Sequence, residues 1–360
     1  MRATKPKTIV VGAGIVGASI AYHLARAGAP VILVDKSQPA GAVTRKAFAW
    51  INVSHGVPKP YAALRLLAIQ DYRRLERELG HALQVDWCGA LTWHRDLAET
   101  ERLAREHAAA GYDVRLIERD QIAQLEPNLA EPPRCAAYAA SEGAVDPVAT
   151  TAALVDAARQ AGADIRLATE VIALASNGRG ITGIRTRDET IGADAVVMAA
   201  GTDARGLCRP LGLDLPVDPS PALLLRYRTA GPLAKGIISN SEMEIRQATD
   251  RCLLAADDYI DESPENGPDA IAGRALAAVK KHVRGTTGIE LESVSVGIRP
   301  IPADGCPIVG FSVRIDGLYV AVMHAGVTMA PVVGRLATTE ILESPRVALL
   351  DSCRPERFDS

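Results

Sequence analysis

The sequence predicts an α/β protein: a discontinuous Rossmann-type domain with an inserted α+β lobe built on an antiparallel sheet. Three observations carry that expectation. The chain opens on a short β-branched strand followed by a glycine turn. A strand ending in small residues returns twice further along, and the segments between switch to the period-two alternation of antiparallel sheet.

The run TIVV at 8–11 reads as a strand buried on both faces of a parallel sheet. Gly12, Gly14 and Gly17 follow in G-x-G-x-x-G spacing. Such spacing alone is weak, and its context decides it. The first glycine permits the strand-to-helix turn, the second lets a diphosphate approach the backbone, and the third lets helix and strand pack closely. The helix N-terminus then presents free N–H groups and the positive end of its dipole. Ala21 and Ala25 continue a small-residue face, Gly28 closes the helix, and VILV at 31–34 forms a second strand. Asp35 ends that strand, where a carboxylate accepts from an adenosine ribose.

Beyond a loop at 36–45, Arg45 and Lys46 either reach toward a diphosphate or form a surface basic pair; composition alone leaves both open. Apolar residues at helical spacing predict helices over 61–79, 97–110 and 120–125. Asp146 and Pro147 start another, reaching Gly162. Strands near 164–168, 170–175, 181–187 and 190–191 read as a meander, and AVVM at 195–198 as another buried strand leading into Ala199, Ala200 and Gly201. Strands near 222–227, 242–246 and 252–256 and a helix over 270–283 suggest the inserted lobe. A last strand at 318–323 runs through His324, Ala325 and Gly326 into a helix beginning near Thr328. One dipole turn near each end of the chain suits a long, bent cofactor such as FAD better than NAD.

Composition sets bounds on partners. The formal net charge is -3, with neither a basic stripe nor a strong positive excess, which argues against nucleic acid and for a small metabolite. The six cysteines contain no Cys-x-x-Cys pair, so neither a zinc knuckle nor a dithiol motif is expected, and no metal site is. No apolar run approaches membrane-span length and no signal peptide is visible, so a cytoplasmic protein without an integral membrane segment is expected.

Read together in order, GAVTRKAFAWIN at 41–52, LEP at 125–127, EGAVDP at 142–147, VVMAAG at 196–201, GIRPIPADGCPIVG at 297–310 and HAGVTMAP at 324–331 give the chain its resemblance. With the glycine turn, they resemble the D-amino-acid oxidase-like family of FAD-dependent oxidoreductases, which includes glycine oxidase, sarcosine oxidase and D-amino-acid dehydrogenases. The resemblance covers nearly the whole chain. It implies an FAD-binding domain from residues 1–60, 143–214 and 295–360, and a substrate-binding domain from 61–142 and 215–294. It implies that Ala13, Gly14, Ile15 and Val16 hold the diphosphate by their main chain, Asp35 the ribose and Val171 the adenine. Asp35 is a shorter acceptor than the Glu frequent there. Lys36, Thr44, Arg45, Lys46, Ala200 and Gly201 are counted with the cofactor-binding residues. Gly326, Val327, Thr328 and Met329 would lie along the flavin pyrimidine edge, where helix N–H groups stabilise the reduced state.

Arg299 matches the position that grips a substrate carboxylate, for which a planar fork of donors is suited; the alternative is an ion pair supporting the adjoining turn. It is counted both as a catalytic and as a cofactor-contacting residue. His324 falls where relatives present a pocket side chain, and is either that or a structural group. Asn52, His55, Tyr227 and Arg246 are further pocket candidates. No counterpart of a covalent flavin cysteine stands out, so noncovalent FAD is implied.

The implied reaction is oxidation of a primary or secondary amine of an amino acid by hydride transfer from Cα to flavin N5, the imine then hydrolysing to a keto acid. Two alternatives stand beside it: oxidation of a 2-hydroxy acid, with His324 or His55 as base, and a flavin-bearing subunit of a hetero-oligomeric dehydrogenase, inactive alone. A homo-oligomer is also compatible with the sequence.

Overall fold

Buried β-branched runs need a sheet covered on both faces, and the computed structural model, which describes residues 5–54, 61–258, 263–343 and 345–358, supplies one. Its six strands run in the order Ile308–Phe311, Leu318–Val322, Ala195–Met198, Thr8–Val11, Val31–Val34, Asp164–Arg166. Thr8–Val11 lies inside, parallel to Val31–Val34 on one side and to Ala195–Met198 on the other. Only Ile308–Phe311, at the edge, runs antiparallel.

Alternate residues of these strands face different layers. Val10, Leu33, Val197 and Tyr319 pack with the helices Ile15–Arg26, Pro147–Gln160 and Gly326–Glu343. Ile9, Val34, Val196 and Met198 pack with Leu174, Ile184 and Ile191 of a three-stranded meander, Ala173–Ser176, Ile181–Arg185 and Thr190–Gly192. The first and last of the three helices cross closely. A Cβ on Gly334 would stand 2.3 Å from Ser19 Oγ, so that crossing admits nothing larger than glycine without displacement.

The second large sheet has eight strands in the order Glu290–Pro302, Val217–Arg228, Cys252–Asp258, Glu244–Thr249, Ile237–Asn240, Ala90–Trp93, Cys135–Ala139, Val114–Glu118. One face carries Leu223, Leu225 and Tyr227 against Ile271, Ala275 and Val279 of the helix Pro268–His282. The other face turns toward the first domain, where Leu224, Cys252 and Leu254 join the core of the helical layer.

The predicted helices over 61–79, 97–110 and 120–125 appear as Ala62–Leu79, Leu97–Ala109 and Arg119–Leu125. Asp146 caps Pro147–Gln160, accepting from the N–H groups of Val148 at 2.8 Å and Ala149 at 3.0 Å. The expected antiparallel sheet is larger and mixed: Ile237–Asn240 runs parallel to Ala90–Trp93. Sequence reading assigned no strands to 61–142, because CAAYA is alanine-rich and the strands beside it are short. The expected boundary at 294/295 falls inside the strand Glu290–Pro302, which binds Arg299 to the substrate sheet.

Candidate active site

At the glycine turn, space and chemistry coincide. Gly12 has φ +106°, and a Cβ there would lie 2.5 Å from the carbonyl oxygen of Ala199. A Cβ on Gly17 would overlap the carbonyl oxygen of Gly12 at 1.9 Å. The turn, the helix and the junction at Ala199, Ala200 and Gly201 therefore close on one another only because these positions lack side chains. Gly14 occupies the N-cap with no side-chain cap, leaving the helix N-terminus to outside acceptors. Thr44 Oγ1 accepts from the Ile15 N–H at 3.3 Å, placing the 41–52 motif beside the turn.

Asp35 is tied into this loop through both oxygens. Oδ2 accepts from the Ala13 N–H at 2.6 Å, and Oδ1 from the Ser37 N–H at 2.7 Å. The Thr169 N–H donates to the Asp35 carbonyl at 2.9 Å, which draws the segment carrying Val171 alongside. Lys36 pairs with Asp203 just beyond Gly201, and that hydrogen bond raises the lysine's pKa most.

The second helix N-terminus meets the first. Gly326 begins the helix Gly326–Glu343, and a Cβ on it would lie 3.3 Å from Val16 Cγ2. Tyr72 donates to the Val327 carbonyl at 2.6 Å, and Thr328 Oγ1 bridges the Trp50 carbonyl and the Asn52 N–H, each at 3.2 Å. Met329 is fully buried, and His324 is exposed on the preceding turn. Two helix N-termini thus lie close together, a donor arrangement for an extended anionic cofactor.

A sequence profile described as "DAO: FAD dependent oxidoreductase" matches residues 7–340. The chain belongs to this family. Among its relatives, a glycine oxidase of Bacillus licheniformis is 25% identical over 98% of both chains. A D-amino acid dehydrogenase of Cereibacter sphaeroides is 26% identical over 97% of this chain and 93% of its own. The solved glycine oxidase of Geobacillus kaustophilus superposes with a TM-score of 0.87 at 24% identity, covering 99% of each chain, which establishes a common fold. The FAD-dependent oxidoreductase is thus built around a cofactor that its uncapped helix end, glycine cradle and Asp35 fit.

In this oxidoreductase, the substrate-sheet face turned toward the cofactor domain carries Arg299, Asp258, Glu244 and, further along it, Arg246. Arg299 Nη1 pairs with Asp258 at 2.8 Å, and Nη2 donates to Ser220 Oγ at 2.9 Å. Among the described residues, its buried Nε has no hydrogen-bond partner. Lys46 Nζ donates to the Val296 carbonyl at 2.8 Å, fastening the 41–52 motif to the strand that carries Arg299, while Arg45 is exposed.

Three pocket candidates need revision. Tyr227 is fully buried in the core behind the sheet, on the face opposite Arg246. Arg246 is a buried strut: Nε donates to the Phe48 carbonyl at 2.6 Å and Nη2 to the Val145 carbonyl at 3.1 Å, with burial lowering its pKa to about 10. The Asn52 side chain is engaged by Arg65, beside Thr328. His55 lies outside the described residues.

Sequence reading missed the groups that hold this region. Glu142, fully buried, accepts from Trp50 Nε1 at 2.8 Å, the Val53 N–H at 2.6 Å and the Ser54 N–H at 2.7 Å. Its burial raises its pKa, against the lowering effect of the Val53 and Ser54 hydrogen bonds and the Arg65 charge. The EGAVDP motif marked its position but not this bracing role. Glu244 was missed altogether, since a carboxylate on an alternating strand reads as a solvent face. Among the described residues, no helix is long and apolar enough to cross a membrane.

Proposed function

We propose that the chain oxidises an amino acid at Cα, and the observation that carries the reading is Arg299 projecting from the substrate sheet toward the cofactor domain, on a strand fastened to it through Lys46. Noncovalent FAD, when bound, supplies the two-electron acceptor at N5. The main chain at Ala13, Gly14, Ile15 and Val16 would hold the diphosphate, Asp35 the ribose, and the segment at Val171 the adenine. Gly326, Val327, Thr328 and Met329 would hold the flavin's pyrimidine edge. Thr328 and Tyr72 fix that helix end in place by their hydrogen bonds to the Asn52 N–H and the Val327 carbonyl.

Arg299 receives the substrate carboxylate. Its two terminal nitrogens already bind oxygen, one of them a carboxylate, which is the geometry the substrate would take over from Asp258. A bound carboxylate orients the Cα–H, and the resulting imine hydrolyses to a keto acid. The names of relatives, glycine oxidase and D-amino acid dehydrogenase, support an amino-acid substrate. His324, exposed beside Gly326, lines the entry to the site in this reading.

Replacing Arg299 with Leu tests the assignment. The holoenzyme variant should retain FAD and lose carboxylate affinity by at least about tenfold, read from the perturbation of flavin absorbance. Undiminished affinity would sink the assignment and leave Arg299 as a support for Asp258.

A further inference from the structure

A further charged group on the face toward the cofactor domain is Glu244, and the role assigned to it rests on an amino acid being the substrate. Register places it. Glu244 lies opposite Ala256, and Asp258 follows two residues later on that neighbouring strand. Asp258 lies opposite Ala222, Ala222 opposite Gly297, and Ser220 opposite Arg299. Opposed residues of antiparallel strands share a face, as do residues two apart, so Glu244, Asp258 and Arg299 project together. This is the face toward the cofactor domain: a Cβ on Gly297 would lie 3.1 Å from Lys46 Cβ, and Arg246, two residues from Glu244, reaches the Phe48 carbonyl.

Arg299 spans the intervening strand to meet Asp258 at 2.8 Å. The Glu244 strand lies one further, about 5 Å on sheet spacing, and Glu244 sits two residues, about 7 Å, along it from the level of Asp258. The Arg299 charge still reaches Glu244 and lowers its acid, so the ammonium of an α-amino acid held at Arg299 by its carboxylate would be drawn along this face toward Glu244.

We propose that Glu244 receives the substrate's amino group, so that Arg299 and Glu244 together read an α-amino acid as a zwitterion and reject 2-hydroxy acids and plain carboxylates. Glu244 also takes the ammonium proton: one N–H bond breaks, one O–H bond forms on the carboxylate, and the lone pair stays on nitrogen. That lone pair becomes the second bond of the imine as hydride leaves Cα.

The surroundings suit a proton acceptor. Burial raises the Glu244 acid most; Ser239, whose Oγ donates to Oε2 at 3.4 Å, and the Arg299 charge lower it, and Asp258 and Asp257 raise it, with the result at about 7. A group poised there accepts a proton near neutral pH.

The test uses two isosteric ligands that cannot be oxidised at Cα as an amino acid is: 2-aminoisobutyrate, which lacks the Cα–H, and isobutyrate, which lacks the amine. Dissociation constants come from flavin absorbance changes in the wild-type holoenzyme and in Glu244→Gln and Glu244→Asp. The wild type should bind 2-aminoisobutyrate more tightly than isobutyrate, with that preference fading as pH falls below about 7. Glu244→Gln should weaken 2-aminoisobutyrate about tenfold, leave isobutyrate unchanged and abolish the pH dependence, and Glu244→Asp should restore part of the preference. Unchanged binding of both ligands, or equal weakening of both, overturns the proposal. Arg299→Leu separates this outcome from failure of the amino-acid reading, because loss of isobutyrate binding there supports the carboxylate site independently of Glu244.

Discussion

At the residue scale, buried carboxylates divide between bracing and chemistry. Glu142 braces: three N–H donors converge on it where the Trp50 segment passes beneath the Gly326 helix. Replacing it with Ala leaves those donors unsatisfied and should destabilise the protein by about 2–4 kcal/mol in urea unfolding. Asp35 links the two strand ends of the nucleotide loop through the Ala13 and Ser37 N–H groups. Asp35→Ala should weaken FAD by about tenfold or more, measured by release of free-flavin fluorescence on dilution; unaltered retention would show that the loop holds without it. Asp35 was legible because strand, glycine turn and second strand fix its place by spacing. Arg299 was legible only through its surrounding motif. Glu244 carried no such signal, since its position depends on the pairing of strands distant in sequence, which periodicity does not encode.

At the element scale, the decisive feature is how closely the helices Ile15–Arg26 and Gly326–Glu343 approach each other and the glycine turn. Gly334→Ala places a methyl at 2.3 Å from Ser19 Oγ and 2.7 Å from His23 Nδ1, and should cost about 1–3 kcal/mol in thermal or urea unfolding. Because the same crossing sets Gly326 against Val16, flavin affinity should fall with it. Such a crossing is invisible to a reading along the chain: both helices and Gly326 were recognised, but Gly334 was not. The strands at Ala90–Trp93, Cys135–Ala139 and Ile237–Asn240 escaped for a related reason. Short, and in Cys135–Ala139 alanine-rich, they are strands because neighbours in the sheet supply their hydrogen bonds, not because their own residues insist on it.

At the scale of the whole molecule, the helical layer between the two domains is sensitive to pH through one histidine. His23 is buried where Nδ1 donates to the Ser19 carbonyl at 2.8 Å and Nε2 accepts from Arg74 at 3.1 Å, and burial is the main cause that lowers its pKa to about 4. Its folded value lies below the unfolded 6.5, so its contribution to stability is present above pH 6.5 and lost as pH falls toward 4. Urea midpoints should therefore fall over that window, by up to about 3 kcal/mol in total stability, and His23→Gln should flatten the slope. Glu244 works in the opposite sense. Its folded value of about 7 exceeds the ordinary 4.5, so it opposes folding progressively from pH 4.5 to 7, and Glu244→Gln should be relatively more stable at pH 8.

The central proposal is that the substrate sheet presents Arg299 and Glu244 to an amino acid on the face turned toward the cofactor domain. Anaerobic titration of the purified yellow holoenzyme with matched amino acids and 2-hydroxy acids tests it most directly. Bleaching of the flavin by at least one amino acid, with the corresponding 2-hydroxy acid inert, is the predicted result. Bleaching by the 2-hydroxy acid alone, or by neither class until a partner protein is added, would contradict it.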